Sequence, residues 1–287
     1  MNSLMRSAAG VFFILALMNL FAQPVVAEAP SIDLSSGLFY DNNLSNAERS
    51  SDIEEDYFWS LNAGATWSGL TGNEWRTSVR VFTGAEVPFE YSAFTLGRAG
   101  ADARLSRKFG LGANASRASG GVSFERDFFH DQDMSSWLLV PSVKWTHHLT
   151  ALWSADLLYR VDVRYAESNL YSGHGHEGGL LLRGNPGERW SFASGIGIRY
   201  GDVVSYATPP RPDIKPVSSI IEPDNMAFDR PLTAYRLDAL TRSISVGTAY
   251  ALTPDISLEL NGKFQYITRS DFSYDDITLQ LALKSVF

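Results

Sequence analysis

The sequence predicts an all-β fold: a closed antiparallel transmembrane β-barrel of about 12 strands, preceded by a signal peptide. Three observations carry that reading. Beyond residue 31, apolar residues recur at every second position in segments of roughly ten or more residues, the pattern of a strand with one face on lipid. Trp and Tyr residues stand in pairs near the segment ends, where amphipathic rings meet the headgroup level. The links alternate between short, turn-like stretches and longer polar ones. Composition agrees, because 23 Gly, 17 Phe, 12 Tyr and 7 Trp favour strands and turns over helices.

Along the chain, the first segment reads as an address. Arg6 precedes the apolar run "VFFILALMNLFA" and then "QPVVAEAP", which fits a secretory signal peptide too short to span a bilayer. Val25 and Ala27 supply the small residues for cleavage after Ala27; a cut after Ala29 would leave Pro30 at the scissile bond. The expected division is a signal peptide over 1–27 and a barrel over 28–287. With no cysteine, neither a disulfide framework nor a lipidated thiol is available. No other apolar run approaches about 18 residues, so an inner-membrane helical protein is excluded. Cleavage removes Arg6 and leaves 23 basic against 32 acidic residues, net −9, which argues against a nucleic-acid partner.

The strands then fall at about 31–42, 55–68, 73–86, 91–106, 109–126, 134–147, 150–165, 171–183, 189–202, 233–251, 256–268 and 275–287. The clearest is "WSADLLYRVDVRY", where Trp153, Ala155, Leu157, Tyr159, Val161, Val163 and Tyr165 alternate with a face holding Asp156, Arg160, Asp162 and Arg164. "WSLNAGATW" and "WSFASGIGIRY" repeat the arrangement, and Trp59 with Trp67, Trp137 with Trp145 and Trp190 with Tyr200 mark two girdles. Short links ("GLTGN", "RK", "HL", "GNPGE", "LTPD") follow the even-numbered strands, which places both termini on the short-turn, periplasmic side. The stretch 203–232 holds six of the 12 prolines and reads as an external loop folded over the mouth, since proline has no amide proton for a ladder. Alternation breaks between Ala115 and Val122, between Ala239 and Ile244, and at Pro141; bulges near Gly120, Arg242 and Pro141 would restore parity.

The last segment, "ITLQLALKSVF", halts in mid-pattern. A barrel has no free edge only if its last strand pairs with its first, so the final residues belong in a strand. Leu279, Leu281, Leu283 and Phe287, apolar at alternate positions before a terminal Phe, resemble the C-terminal assembly signal of Gram-negative outer-membrane proteins, with Ser285 departing from the pattern. The resemblance implies a cell outer-membrane location, and the outer-membrane lipids and the barrel-assembly machinery as partners.

Lumen charge is the most informative functional feature. The parity opposite the apolar face carries Arg76, Arg80, Arg98, Arg104, Lys144, Arg160, Arg164, Arg199, Lys263 and Lys284 against Asp102, Asp156, Asp162 and Glu259. Ten basic against four acidic residues, in a chain of net negative charge, suggests a narrow passive channel for small anionic solutes such as acidic sugars. The alternatives are a non-conducting structural barrel, braced inside by the same charges, whose loops bind polysaccharide or an envelope-assembly partner, and a lipid-modifying enzyme. No "GxSxG" elbow or other nucleophile with an adjacent base is present, so no catalytic residue is assigned. His174 and His176 share one strand face but lack a third ligand, and His147 and His148 point oppositely at a turn. Asp41, Asn43, Ser45 and Asp52 have calcium-loop spacing, yet Asn46 stands where glycine is required. No metal and no cofactor is therefore assigned.

Overall fold

The computed structural model describes residues 26–27, 29–71, 74–112, 114–223 and 227–287. Twelve long strands form the barrel: β1 (Ser31–Asp41), β2 (Asp56–Thr71), β3 (Trp75–Pro88), β4 (Leu96–Phe109), β5 (Ser116–Phe129), β6 (Ser136–His148), β7 (Trp153–Ala166), β8 (Gly173–Gly184), β9 (Trp190–Ala207), β10 (Thr233–Ala251), β11 (Ile256–Arg269) and β12 (Phe272–Val286). Each pairs antiparallel with its sequence neighbours, and β12 closes on β1 from Thr278↔Asp41 to Val286↔Asp33. Phe287 and Ile32 extend that seam by exchanging backbone hydrogen bonds of 2.8 and 2.9 Å. The backbone of this seam therefore finds its partners within the barrel, as a lipid-embedded chain requires. The expected signal peptide lies outside the described residues apart from Val26–Ala27, which bridge to Leu70 and Gly69 of β2.

The exterior is apolar. Leu38, Leu61, Val81, Leu157, Leu180, Ile196, Ile244, Leu260 and Leu281 all point outward and are exposed on the isolated barrel. On β9, Trp190 and Tyr200 bracket this band. Ten residues span about 34 Å along a strand, or about 26 Å after a tilt of about 40°, which matches the thickness of an apolar barrel belt. Two outward arginines sit at the girdles with their guanidinium planes on rings. Arg107 lies 5.5 Å from the Trp75 ring and 5.3 Å from Phe109, and Arg126 lies 5.4 Å from Phe128 and 5.1 Å from Trp137. Cations at this level keep their charge in the headgroups while their stems cover apolar surface.

The expected bulges are absent. The ladders pass through Gly120, Arg242 and Pro141 without a change of register. Three physical reasons replace them. Residues 110–112 and 114–115, read as strand from the sequence, lie in the turn between β4 and β5, with Gly110 at φ +101°; Leu111 and Ala115 never belonged to a ladder. Pro141 faces lipid on β6 and simply leaves a gap in the pairing with β7, between Leu139↔Val163 and Ser142↔Arg160. On β10 the parity never changes: Tyr235, Leu237 and Ala239 face inward with the polar set, because this part of the strand stands above the membrane and packs on a covered core. Boundaries moved as well. The turn assigned to Arg107 and Lys108 lies beyond them, and β11 and β12 meet at a two-residue link, Ser270 and Asp271.

Because Ile196 projects outward midway between the girdles of β9, Ile196→Arg should lower the stability of the folded barrel by about 2–4 kcal/mol in lipid. Urea unfolding in vesicles, read by heat-modifiable gel mobility, checks this, with Gln280→Arg on the inward face of β12 as the change expected to be tolerated.

Candidate functional site

The residues singled out by parity all project from the inward face, and most are held by partners on nearby strands. Arg80 of β3 reaches Asp33 of β1 at 2.7 Å, crossing Gly64 of β2. A Cβ on Gly64 would come within 2.6 Å of the guanidinium and 2.8 Å of the carboxylate, so the bridge exists only because that strand carries no side chain there. The same device recurs where Arg199 of β9 makes a bidentate pair with Asp162 of β7, at 3.0 and 3.3 Å, over Gly175 of β8. Arg160 pairs with Glu177 at 2.6 Å, Arg164 with Asp127 at 3.7 Å, and Arg98 with Glu86 at 2.6 Å and Glu125 at 3.9 Å. These pairs join adjacent or next-but-one strands and so run along the wall instead of crossing the lumen. Each is partly solvated and contributes roughly 0–1 kcal/mol, so they orient side chains more than they stabilise the fold.

Several inward charges escape the parity reading. Asp33, Glu86, Glu125, Asp127, Glu177 and Asp276 face inward, as do Arg117 and Arg183, which removes the large basic excess expected from ten against four. The charges are instead segregated along the axis. In the external half every inward arginine from Arg98 to Arg199 named above has a carboxylate. Toward the periplasmic end, Arg104 and Arg117 make no hydrogen bond or ion pair with another described residue, and Arg76 donates to the Ser68 hydroxyl at 2.9 Å. Lys144 lies within electrostatic range of Arg104, Arg117 and Arg183. Its one carboxylate neighbour is the buried Asp156, 4.0 Å away, which also contacts Arg183 and accepts the Thr146 hydroxyl at 2.7 Å. Lys263 of β11 lies in range of Glu177, Arg160 and Asp276.

Across from β3 and β4 the wall is bare, whereas β11 and β12, across from β5 and β6, carry Glu259, Lys263, Gln280 and Lys284 on their inward faces. β9 and β10 stand across the ring from β3 and β4, and their inward positions in the lower half are Ser191, Ala193, Gly195 and Gly197, and Ser243, Ser245, Gly247 and Ala249. A cavity of about 390 Å³ is lined by Asp33, Asn62, Arg80, Arg98, Glu259 and Gln280. A second, of about 530 Å³, is lined by Arg160, Arg164, Arg199 and Arg236 together with Phe94, Met134 and Leu138.

Above that cavity lies a folded lid. β9 and β10 continue together to Ala207 and Thr233, and the link between them adds a short strand, Ser218–Pro223, paired to β10. One side of this ribbon packs Tyr206, Phe228 and Ala234 against Tyr91, Met134 and Leu170 from three other external links. The other side packs Ala207, Tyr235 and Leu237 against Ile214 and against Ile267, Phe272 and Tyr274 of the β11–β12 hairpin. Rings meet edge-on, with Tyr91 and Tyr206 each 5.0 Å from Phe228. Contact with all the other external links spreads the lid across the mouth. Burial, with the hydrogen bond it donates to Glu54 at 2.5 Å, pushes the Tyr91 hydroxyl up.

The β1–β2 link anchors the lid by charge. The fully buried Arg211 side chain contacts Glu48 at 2.8 Å, Asp213 at 2.6 Å and Asp52 at 3.9 Å. Asp52, placed by spacing in a calcium-like loop, also accepts the Thr208 hydroxyl at 2.7 Å; Asn43 and Ser45 are buried in hydrogen bonds to their own link. The charge balancing Asp52 is therefore Arg211. His174 and His176 face outward and are separately engaged, His174 with Asp202 at 3.1 Å and His176 with the Tyr159 hydroxyl at 2.9 Å.

No protein-family model matches the chain, and no curated protein matches its sequence. Among solved structures, it is similar to a KdgM porin in complex with disordered oligogalacturonate, at TM-score 0.42 and 10% identity over 90% of this chain and 99% of that one. An anion-selective porin from Comamonas acidovorans matches at TM-score 0.45 and 7% identity, over 91% and 100%. LpxR from Salmonella typhimurium matches at TM-score 0.41 and 10% identity, over 88% and 99%. The closed barrel itself rests on its own strand ladders.

Removing a partner from a buried ion cluster costs about 3–5 kcal/mol, so Arg211→Ala should release the lid while the barrel persists. Limited proteolysis should then cut within 208–232 at least tenfold faster, with unchanged heat-modifiable mobility; intact protection would contradict the anchor. The hydrogen bond from Arg211 holds the Asp213 carboxyl down at about 2. Its contribution is therefore fully present above the ordinary aspartate range and is lost only as pH falls through about 2, which proteolysis with an acid-stable protease can follow.

Proposed function

We propose that the chain is a Gram-negative outer-membrane barrel, exported by the leader over 1–27, that acts as a narrow passive channel favouring small anionic solutes. The observation that supports this best is the lower lumen, where a basic arc runs over β3 to β8 and its β3 and β4 end faces a wall of Ser, Ala and Gly on β9 and β10. Side chains that met across the axis would close it; in the sector from β3 and β4 across to β9 and β10 one side is nearly empty. Arg76, Arg80, Lys144, Asp156, Arg160, Asp162, Arg164, Arg199 and Lys263 line the passage in this reading, with two kinds of work. Arg160, Arg164 and Arg199 neutralise the acids beside them, and Lys144, with Arg104 and Arg117 near it, sets the sign of the solute.

A second reading is favoured by the lid: a non-conducting barrel that presents one folded external surface to polysaccharide or to an envelope partner. Planar-bilayer recordings separate the two. The channel reading expects discrete conductance steps, a reversal potential of anion sign in a KCl gradient, and larger steps once residues 210–230 are removed. The combined Arg160→Gln, Arg164→Gln and Arg199→Gln changes should move selectivity toward cations, because Glu177, Asp127 and Asp162 lose their partners. A silent barrel even without the lid, or cation preference in the unaltered protein, would sink the channel reading and favour the second.

A further inference from the structure

We infer that the periplasmic half of the lumen contains a subsite for oxyanions of two or more negative charges, formed by Arg104 of β4, Arg117 of β5, Lys144 of β6 and Arg183 of β8. Two of these, Arg117 and Arg183, stand outside the residues that alternation singled out. Lys144 is the centre of the group, in electrostatic range of the other three. The ladders bring them onto one arc: Arg104 lies opposite Gly121, Arg117 opposite Thr146, Lys144 opposite Ser119, and Arg183 opposite Ser154. Between Arg104, Arg117 and Lys144 the β5 positions are Ser119 and Gly121, which leave room above the wall and add a hydroxyl, while Leu158 and Leu181 stand between Lys144 and Arg183.

The argument turns on counter-charge. Four cations share one carboxylate, Asp156, already engaged by Thr146, so the group carries a net charge of three. Elsewhere in the same lumen the protein supplies the acid: Asp33 for Arg80, Glu86 for Arg98, Glu177 for Arg160, Asp127 for Arg164 and Asp162 for Arg199. Like charges held together in a wall of low dielectric raise one another's energy, and a mobile anion is what relieves them. Guanidinium groups bind planar or tetrahedral oxyanions through paired N–H donors, and the Lys144 ammonium adds a point charge. A singly charged ion leaves most of the excess uncompensated, so selection falls on phosphate-like or polycarboxylate groups. The role of the subsite as a selectivity element rests on the channel reading; its existence does not.

Isothermal titration calorimetry of the intact, folded barrel in a neutral detergent tests it, with inorganic pyrophosphate and citrate as probes at low salt. Saturable 1:1 binding is expected, weakened about tenfold or more, or about 1.4 kcal/mol, in Arg104→Gln/Arg117→Gln. Arg126→Gln, which removes the same charge from the exterior, should bind normally. Binding of one probe alone would fix the oxyanion as phosphate-like or carboxylate. Absence of saturable binding to either probe, or equal weakening by Arg126→Gln, would overturn the subsite. A barrel that conducts anions yet fails to bind refutes the subsite alone, and one that binds without conducting refutes the channel alone.

Discussion

The hydrogen-bond seam between β1 and β12 is the constraint from which the remaining structure follows. Hydrocarbon offers no partner to a backbone amide, so a sheet that enters a membrane must have no edge. Closure fixes the even number of strands and puts both ends of the sheet on one side. It also commits every strand to one lipid-facing parity, with Leu38, Leu260 and Leu281 meeting across neighbouring ladders. The other parity is then free of any demand to be apolar, and it is there that the chain keeps its charges.

Inside, the protein solves the problem of enclosed charge in two ways. The external half pairs arginines with carboxylates along the wall, and Gly64 and Gly175 let two of those pairs reach past an intervening strand. The periplasmic half leaves cations in excess of acids, with small side chains on β9 and β10 across from β3 and β4. A globular protein would bury its largest apolar residues in the middle; here Phe228, Ile214 and Leu237 are fully buried in the lid, above the membrane. The lid is a small soluble domain in all but connectivity, with two apolar clusters and a buried Arg211.

Most of the architecture was legible because lipid imposes a strict period of two, which shows in "WSADLLYRVDVRY" without any knowledge of neighbours. What the sequence concealed lies where that demand stops. On β10 the inward residues turn apolar above the membrane to meet the lid, and alternation alone reads this as a bulge. Just before β5 the apolar residues Leu111 and Ala115 of the turn blurred the parity, which hid Arg117, Glu125 and Asp127. On β8 the run Leu180, Leu181 and Leu182 leaves no alternation, so Glu177 and Arg183 could not be placed. The sense of the lumen charge was therefore recoverable from the sequence only in part, since it depends on the acids of the least regular strands.

Because the chain has no cysteine, a single thiol can report on the lumen directly. Ser119→Cys places one on the inward face opposite Lys144. The rate of its modification by a negatively charged thiosulfonate, against a positively charged one of the same size, measures whether water and anions reach this level. Faster reaction with the anionic reagent is the expected result. No reaction, or preference for the cationic reagent, would contradict a hydrated lumen whose periplasmic half attracts negative charge.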